Sequence, residues 1–371
     1  MSETLKLGVL FGGRSGEHEV SLVSARSVLD ALDPQKYRVT QIGITKEGEW
    51  LVGDDVLEAF KEGSTHNLTE ATLLPMPGRH QLYTLRGEDG KQVLEILTGL
   101  DVIIPVLHGT FGEDGTMQGL FELADLAYVG AGVLASSVGM DKALFKDVMR
   151  AQGIPVVPYR IFLRSAFERD GEQVMDEAEA LAPYPLFVKP ANMGSSVGVH
   201  KCKDRVDLAR ALEDASRYDR RLLVEEGIDA REIELSVLGN EVPRVSIPGE
   251  IRPTAEFYSY EAKYHDDSSE LLIPAPLSDE HTERFQDLAV KAFKAIDGAG
   301  MARVDFLLDK ETDQIYLNEL NTIPGFTPIS MYPKLWEASG LDYPDLIDEL
   351  ISLALERRAQ RDRTVWRYER E

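Results

Sequence analysis

One cysteine, Cys202, in 371 residues cannot close an internal disulfide, and its solitary occurrence fits a reducing compartment. Its expected role is a small buried hydrophobe rather than a nucleophile. No run approaches the ~18 apolar residues of a membrane span. The start "MSETLKLGVLFGG" has no apolar stretch followed by a small-residue cleavage site, so a cytoplasmic address and no membrane contact are expected. Bases are also scarce: 40 Lys and Arg against 64 Asp and Glu leave a formal net charge of -24. Non-specific attraction to nucleic acid or anionic lipid is disfavoured, and an anionic ligand would need a local cluster of Lys and Arg. Internal repeats and low-complexity tracts are lacking as well.

What is present is a folded composition, 43% apolar and 28% charged, in a chain longer than one core usually organises. "LKLGVLF", "GGRSGE" and "YRVTQIGIT" read as strand, tight turn and strand around a helix over 19–32, the alternation of an α/β unit with a parallel sheet. That unit spans 1–130, with an insertion of short strands and turns at about 46–98. A second unit over 131–226 starts with "GAGVLASSVGMDKALFKDVMRAQG", read as a loop and one helix, and holds the strands "LFVKP" and "LLVEE". The third, 227–371, contains "IELSVLG" and an amphipathic helix after Ser278, its N-cap. The Arg- and Glu-rich tail after Leu353 reads as a solvated terminal helix.

The chemistry gathers in "ARVDFLLDKETDQIYLNELN", two alternating runs around a polar turn. Centring the turn on Thr312 sets Asp305 opposite Glu319, Arg303 opposite Asn321 and Val304 opposite Leu320. All four polar residues then share one face. Two opposed carboxylates repel unless a cation lies between them, and carboxylate and amide oxygens suit a hard divalent ion. An exposed face with an Arg/Asp surface pair remains the alternative.

Magnesium held by few protein oxygens usually arrives with phosphates. In "PLFVKPANMGSSVGV", Lys189 ends a strand before a loop of small residues able to admit an anion to backbone N–H groups, or simply to turn. No Gly-Lys-Ser/Thr follows, so this is not a Walker A loop. Lys142 in the first turn of a helix is a second candidate or a surface lysine. Glu225 and Glu226 end a strand as either a base-reading edge or a hinge. In "GGRSGEHEVS", Glu17 either complements a helix dipole or receives a zwitterion. His108 ends a buried strand, as a structural residue or at the sheet edge where α/β folds bind ligands. The glycine spacing at 12, 13 and 16, with no acid in the next strand, disfavours a dinucleotide-dependent dehydrogenase.

In their order along the chain, "FGGRSGEHEVS", "LHGTFGEDGTMQG", "MDKALFK", "VKPANMGSSVGV", "EAKY", "RVDF" and "NELNTIPGFTPIS" resemble the D-alanine:D-alanine ligases of the ATP-grasp superfamily. The resemblance implies an ATP-grasp fold behind an amino-terminal Rossmann-like α/β domain. It implies ATP as a substrate, two magnesium or manganese ions on Asp305, Glu319 and Asn321, and a homodimer. ATP would be met by Lys142, Lys189, Ser195, Ser196, Glu225, Glu226, Ile228, Glu232 and Lys263. Glu17 and His108 would attend the first D-alanine, and Ser330 with the Met331 amide the second carboxylate. Arg303 and the Gly325 backbone would stabilise oxyanions, while Ser195 and Tyr264 would link with Glu17 to close the "EAKY" loop. The rivals are a ligase joining D-alanine to D-lactate or D-serine, a more distant L-amino-acid ligase, and a catalytically silent nucleotide-binding protein.

Overall fold

The computed structural model describes residues 4–88, 91–252, 270–327 and 329–365. Lys263 and Tyr264 lie outside them. Among the described residues three sheets follow one another along the chain.

The first has eight strands in the order 91–99, 81–88, 69–73, 50–52, 37–44, 5–12, 102–106, 127–128. Strand Leu5–Gly12 pairs in parallel with both Tyr37–Ile44 and Val102–Val106, so its carboxyl end lies at the point where strand order reverses. Open α/β sheets bind ligands at such a crevice. The helix after it, His18–Ala31, buries Val20, Leu22, Ala25 and Val28. The insertion is more regular than its Pro/Gly turns suggest: its strands extend the same sheet antiparallel, ending in the hairpin of Gln81–Glu88 and Lys91–Gly99.

The second sheet is antiparallel, with strands 200–202, 186–190, 221–226 and 159–163 side by side. Ahead of it the helix with Lys142 in its first turn runs over Lys142–Ala151 as expected, but the expected loop before it holds another helix, Val133–Met140. Asp141 breaks the run by leaving the helical region and accepting from the Leu144 N–H as N-cap of the second helix. Cys202 is fully buried, and burial pushes its thiol up to about 12, which suits packing rather than nucleophilic chemistry.

The third sheet centres on Ala230–Gly239 and Gly300–Asp309, with Ile315–Asn321 at one edge. Helix Asp279–Ala295 covers it with Phe285, Ala289, Ala292 and Phe293, and Ser278 Oγ caps it by accepting from the His281 N–H. The carboxyl-terminal helix is Tyr343–Asp362, and its part after Leu353, expected to be solvated, exposes Glu356, Ala359, Gln360 and Asp362 but buries Ala354. Leu346, Ile347, Leu350 and Ile351 join the core beneath Leu22, Ala25 and Val28, and Arg357 donates to the carbonyls of Gly130 and Tyr128. Among the described residues no helix is long and apolar enough to cross a membrane.

Candidate active site

Between the sheets lies a cleft of 1410 Å³. Every described residue expected to act at the site borders it, from Glu17 and His108 through Lys142, Lys189, Ser195, Ser196, Glu225, Glu226, Ile228 and Glu232 to Arg303, Asp305, Glu319, Asn321, Gly325, Ser330 and Met331.

The hairpin has the register expected at the site: Arg303 faces Asn321, Val304 faces Leu320 and Asp305 faces Glu319. The cation that meets Asp305 on this face is Arg303. Its Nε and Nη2 donate to the two Asp305 oxygens at 2.8 and 2.6 Å, and Asn321 Nδ2 donates to Asp305 at 3.1 Å. Glu234 Oε2, on the neighbouring strand, stands 3.0 Å from Arg303 Nε. Burial opposes the guanidinium charge, but Asp305 and Glu234 outweigh it and hold its pKa well above the ordinary value. The side chains of Arg303 and Asp305 are 19% and 11% exposed, so this is not a surface ion pair. Among the described residues no three carboxylate, imidazole or thiol side chains gather as a metal cluster. Two carboxylates and an amide remain as hard oxygen donors on one face, a set that suits magnesium completed by phosphate oxygens rather than an all-protein cage.

Across the cleft, Lys189 ends strand Leu186–Pro190 and Glu225 sits on its partner, Arg221–Glu226. Lys189 Nζ lies 2.6 Å from one Glu225 oxygen, and Lys146 Nζ lies 2.8 Å from the other. Burial pushes the Glu225 carboxyl up, but the two lysines outweigh it and bring it down to about 2. The Glu225 side chain is thus committed to lysines, which leaves its backbone and Glu226 at the strand end. Lys142 Nζ reaches the Gly/Ser loop by donating to the Met193 carbonyl at 2.7 Å. The loop is tied at its base, where Asn192 Nδ2 donates to Asp141 and Asp219. Ser195 and Ser196 both have positive φ, 48° and 58°, a conformation that costs non-glycine residues and persists only where surrounding contacts impose it.

Ser195 Oγ donates to Glu17. Glycines make room for that carboxylate: a Cβ on Gly109 or Gly194 would come within 2.4 or 2.6 Å of Glu17 Oε2. His108 is buried with both ring nitrogens engaged, Nδ1 to the Ile323 carbonyl and Nε2 to Ser24 Oγ, each at 3.1 Å. Burial depresses its pKa against the pull of Glu17, so the neutral ring donates from Nδ1 and accepts at Nε2. Ser330 stands at the N-cap of helix Met331–Ala338, its Oγ accepting from the Thr327 N–H at 3.1 Å. The Met331 amide therefore belongs to a helix amino terminus, where N–H groups lack intrahelical acceptors and favour an anion.

Four residues escaped the sequence reading. Lys146 follows Lys142 by one helical turn, a spacing that places both on one face. Glu234 shares its strand face with Glu232 by the period of two. Glu113, in "GEDG", accepts from the Gly109 N–H at 2.9 Å, and burial with the nearby Glu17 raises its pKa to about 8. Ser24 joins His108 to the loop beyond the hairpin, and nothing local in the sequence marks it.

Residues 6–131 match the family model of the D-ala D-ala ligase N-terminus and residues 148–352 that of the D-ala D-ala ligase C-terminus. A D-alanine-D-alanine ligase of Heliobacterium modesticaldum is 50% identical over 359 residues, 97% of each chain. One of Natranaerobius thermophilus is 48% identical over 360 residues, again 97% of each. Among solved structures, the D-alanine-D-alanine ligase from Coxiella burnetii superimposes with a TM-score of 0.81 at 38% identity, covering 97% of both chains. A D-Ala:D-Ser ligase from Enterococcus faecalis does so with 0.83 at 35% identity, covering 95% of this chain and 100% of that one. With both halves matched and such relatives aligned along nearly its whole length, the chain belongs to the D-alanine:D-alanine ligase family and has its ATP-grasp fold.

Proposed function

We propose that this protein joins two D-alanine molecules into D-alanyl-D-alanine through a D-alanyl phosphate, converting ATP to ADP and phosphate for peptidoglycan precursor synthesis. The observation that carries the reading is the gathering in one cleft of two lysines, a Gly/Ser loop, the acid-amide hairpin face, Glu17 and the Ser330 helix start.

A carboxylate oxygen of the first D-alanine attacks the γ-phosphorus of ATP and ADP leaves. The free amine of the second then attacks the acyl carbon, loses a proton and expels phosphate from a tetrahedral intermediate. Neither step needs a nucleophile from the protein, so positioning and charge stabilisation do the work. Lys142, Lys189 and the loop at Ser195 and Ser196 hold the phosphates, with Glu225, Glu226 and Ile228 at the base edge, Glu232 at the ribose, and Lys263 as a further ATP contact. Two magnesium or manganese ions on Asp305, Glu319 and Asn321 would neutralise phosphate charge. Glu17 takes the first ammonium beside His108, Ser330 and the Met331 amide take the second carboxylate, and Arg303 with the Gly325 backbone faces the oxyanions. Ser195 and Tyr264 complete the link that closes the site, since an acyl phosphate must be kept from water.

The units are 1–130 with its insertion, 131–226 and 227–371, and the protein acts in the cytoplasm as a homodimer. A second reading keeps the fold and changes the acceptor, because a D-Ala:D-Ser ligase superimposes as well as a D-alanine-D-alanine ligase does. The test is ATP- and magnesium-dependent phosphate release with D-alanine, beside L-alanine and beside D-alanine with D-serine or D-lactate, the product identified by mass. Dipeptide as sole product supports the proposal; a mixed product moves the acceptor, and no release under any condition overturns the activity.

A further inference from the structure

Lys146 is 1% exposed and does not border the cleft, whereas Lys189 and Glu225 do. Helix Lys142–Ala151 brings it against strand Arg221–Glu226, with Ala143 of the same helix packed on Leu223, on the sheet face that carries Lys189 and Glu225. Glu225 pairs opposite Phe187, which puts its side chain diagonal to Lys189 on the same sheet face. The carboxylate lies between two ammonium groups, 2.8 Å from Lys146 and 2.6 Å from Lys189.

Such an arrangement has an electrostatic consequence. A lysine paired only with a buried carboxylate presents a neutral couple to an approaching polyphosphate. A second, deeper ammonium on the other carboxylate oxygen cancels the acid and leaves one net positive charge at the cleft wall. Inside a protein the low effective dielectric makes that difference large.

We infer that Lys146 is a positioning residue for the nucleotide site: it neutralises Glu225 at the carboxylate oxygen that Lys189 does not meet, so that Lys189 presents its whole charge to the nucleotide phosphates. The inference rests on the reading of Lys189 as a phosphate ligand. It gives a buried lysine outside the cleft a part in nucleotide affinity, not in the chemical step.

The test is calorimetric titration of ADP and of adenosine into the wild-type chain, Lys146→Met, Lys146→Gln and the double variant Lys146→Gln/Glu225→Gln, with thermal unfolding as the check on fold. The glutamine keeps a donor to Glu225 while removing the charge, so it carries the test if the methionine variant does not fold. ADP should bind on the order of tenfold or more weakly to Lys146→Gln. Adenosine should bind as before, the KM for ATP should rise with kcat retained, and the double variant should recover ADP affinity. Unchanged ADP affinity in Lys146→Gln, an equal loss for adenosine, or a double variant no better than the single one would overturn the inference. Lys189→Met separates the two levels: if it leaves ADP binding intact, the placement of Lys189 on the phosphates has failed. If it weakens ADP while Lys146→Gln does not, only the part given to Lys146 has failed.

Discussion

The Ser195 hydroxyl donates to the Glu17 carboxylate, joining the Gly/Ser loop to the start of the first helix across the cleft. One contact thus ties the proposed phosphate loop to the proposed ammonium site. Ser195→Ala removes it while leaving both backbones in place. A hydrogen bond to a charged group is worth roughly 1.5 to 3 kcal/mol, so the KM for the first D-alanine should rise about tenfold or more. Steady-state kinetics at saturating ATP measures this, and an unchanged KM would separate the two sites.

Glu319 and Arg303 share a face but should fail differently. Glu319→Gln keeps shape and removes a charge, so ligation should fall on the order of a hundredfold or more with the melting temperature near wild type. Arg303→Ala strands Asp305 and Glu234 without their buried counter-charge, which costs roughly 3 to 5 kcal/mol. It should lose stability as well as activity, and thermal unfolding of the two variants distinguishes the cases.

Glu113 titrates to about 8 because burial, and then the Glu17 charge, disfavour its ionised form. A carboxyl whose pKa is higher folded than unfolded contributes stability present below its ordinary 4.5 and lost as pH rises towards about 8. Glu113→Gln has no charge to bury, so its melting temperature relative to wild type should climb across that window in the ligand-free protein. A flat difference between pH 5 and 8 would refute the assignment.

Glu225 works in the opposite sense. Its pKa near 2 in the folded chain lies below the ordinary 4.5, so its contribution is present above about 4.5 and lost as pH falls towards 2. Unfolding followed between those values should show a shallower acid slope in Glu225→Gln than in wild type.

Arg357 lies 4.1 Å over the Tyr128 ring and donates to two carbonyls, fastening the last helix to the end of the first sheet. Arg357→Ala should cost about 2 kcal/mol of stability and leave kcat as it is, as thermal unfolding and turnover would record.

Local pattern determined much of this protein. The period of two put Arg303, Asp305, Glu319 and Asn321 on one face, the glycine turn and apolar strand placed Glu17 at a helix start, and Ser278 marked its own cap. The order of seven motifs carried the family. Yet the hairpin register at the site depends on a feature no pattern displayed. Near the turn Leu308 pairs with Ile315, one residue off the expected partner Tyr316, and a bulge between Asp305 and Phe306 restores the offset so that Asp305 meets Glu319. Bulges arise from how a strand must bend within its sheet, which is a tertiary demand. The same holds for charge. That Glu225 stands between Lys146 and Lys189, that Arg303 is shared by Asp305 and Glu234, and that Arg357 of the last helix grips the end of the first sheet follow from which elements pack together. Sequence sets which side chains an element shows on each face; only the fold decides which face meets which, and hence which charges must neutralise one another.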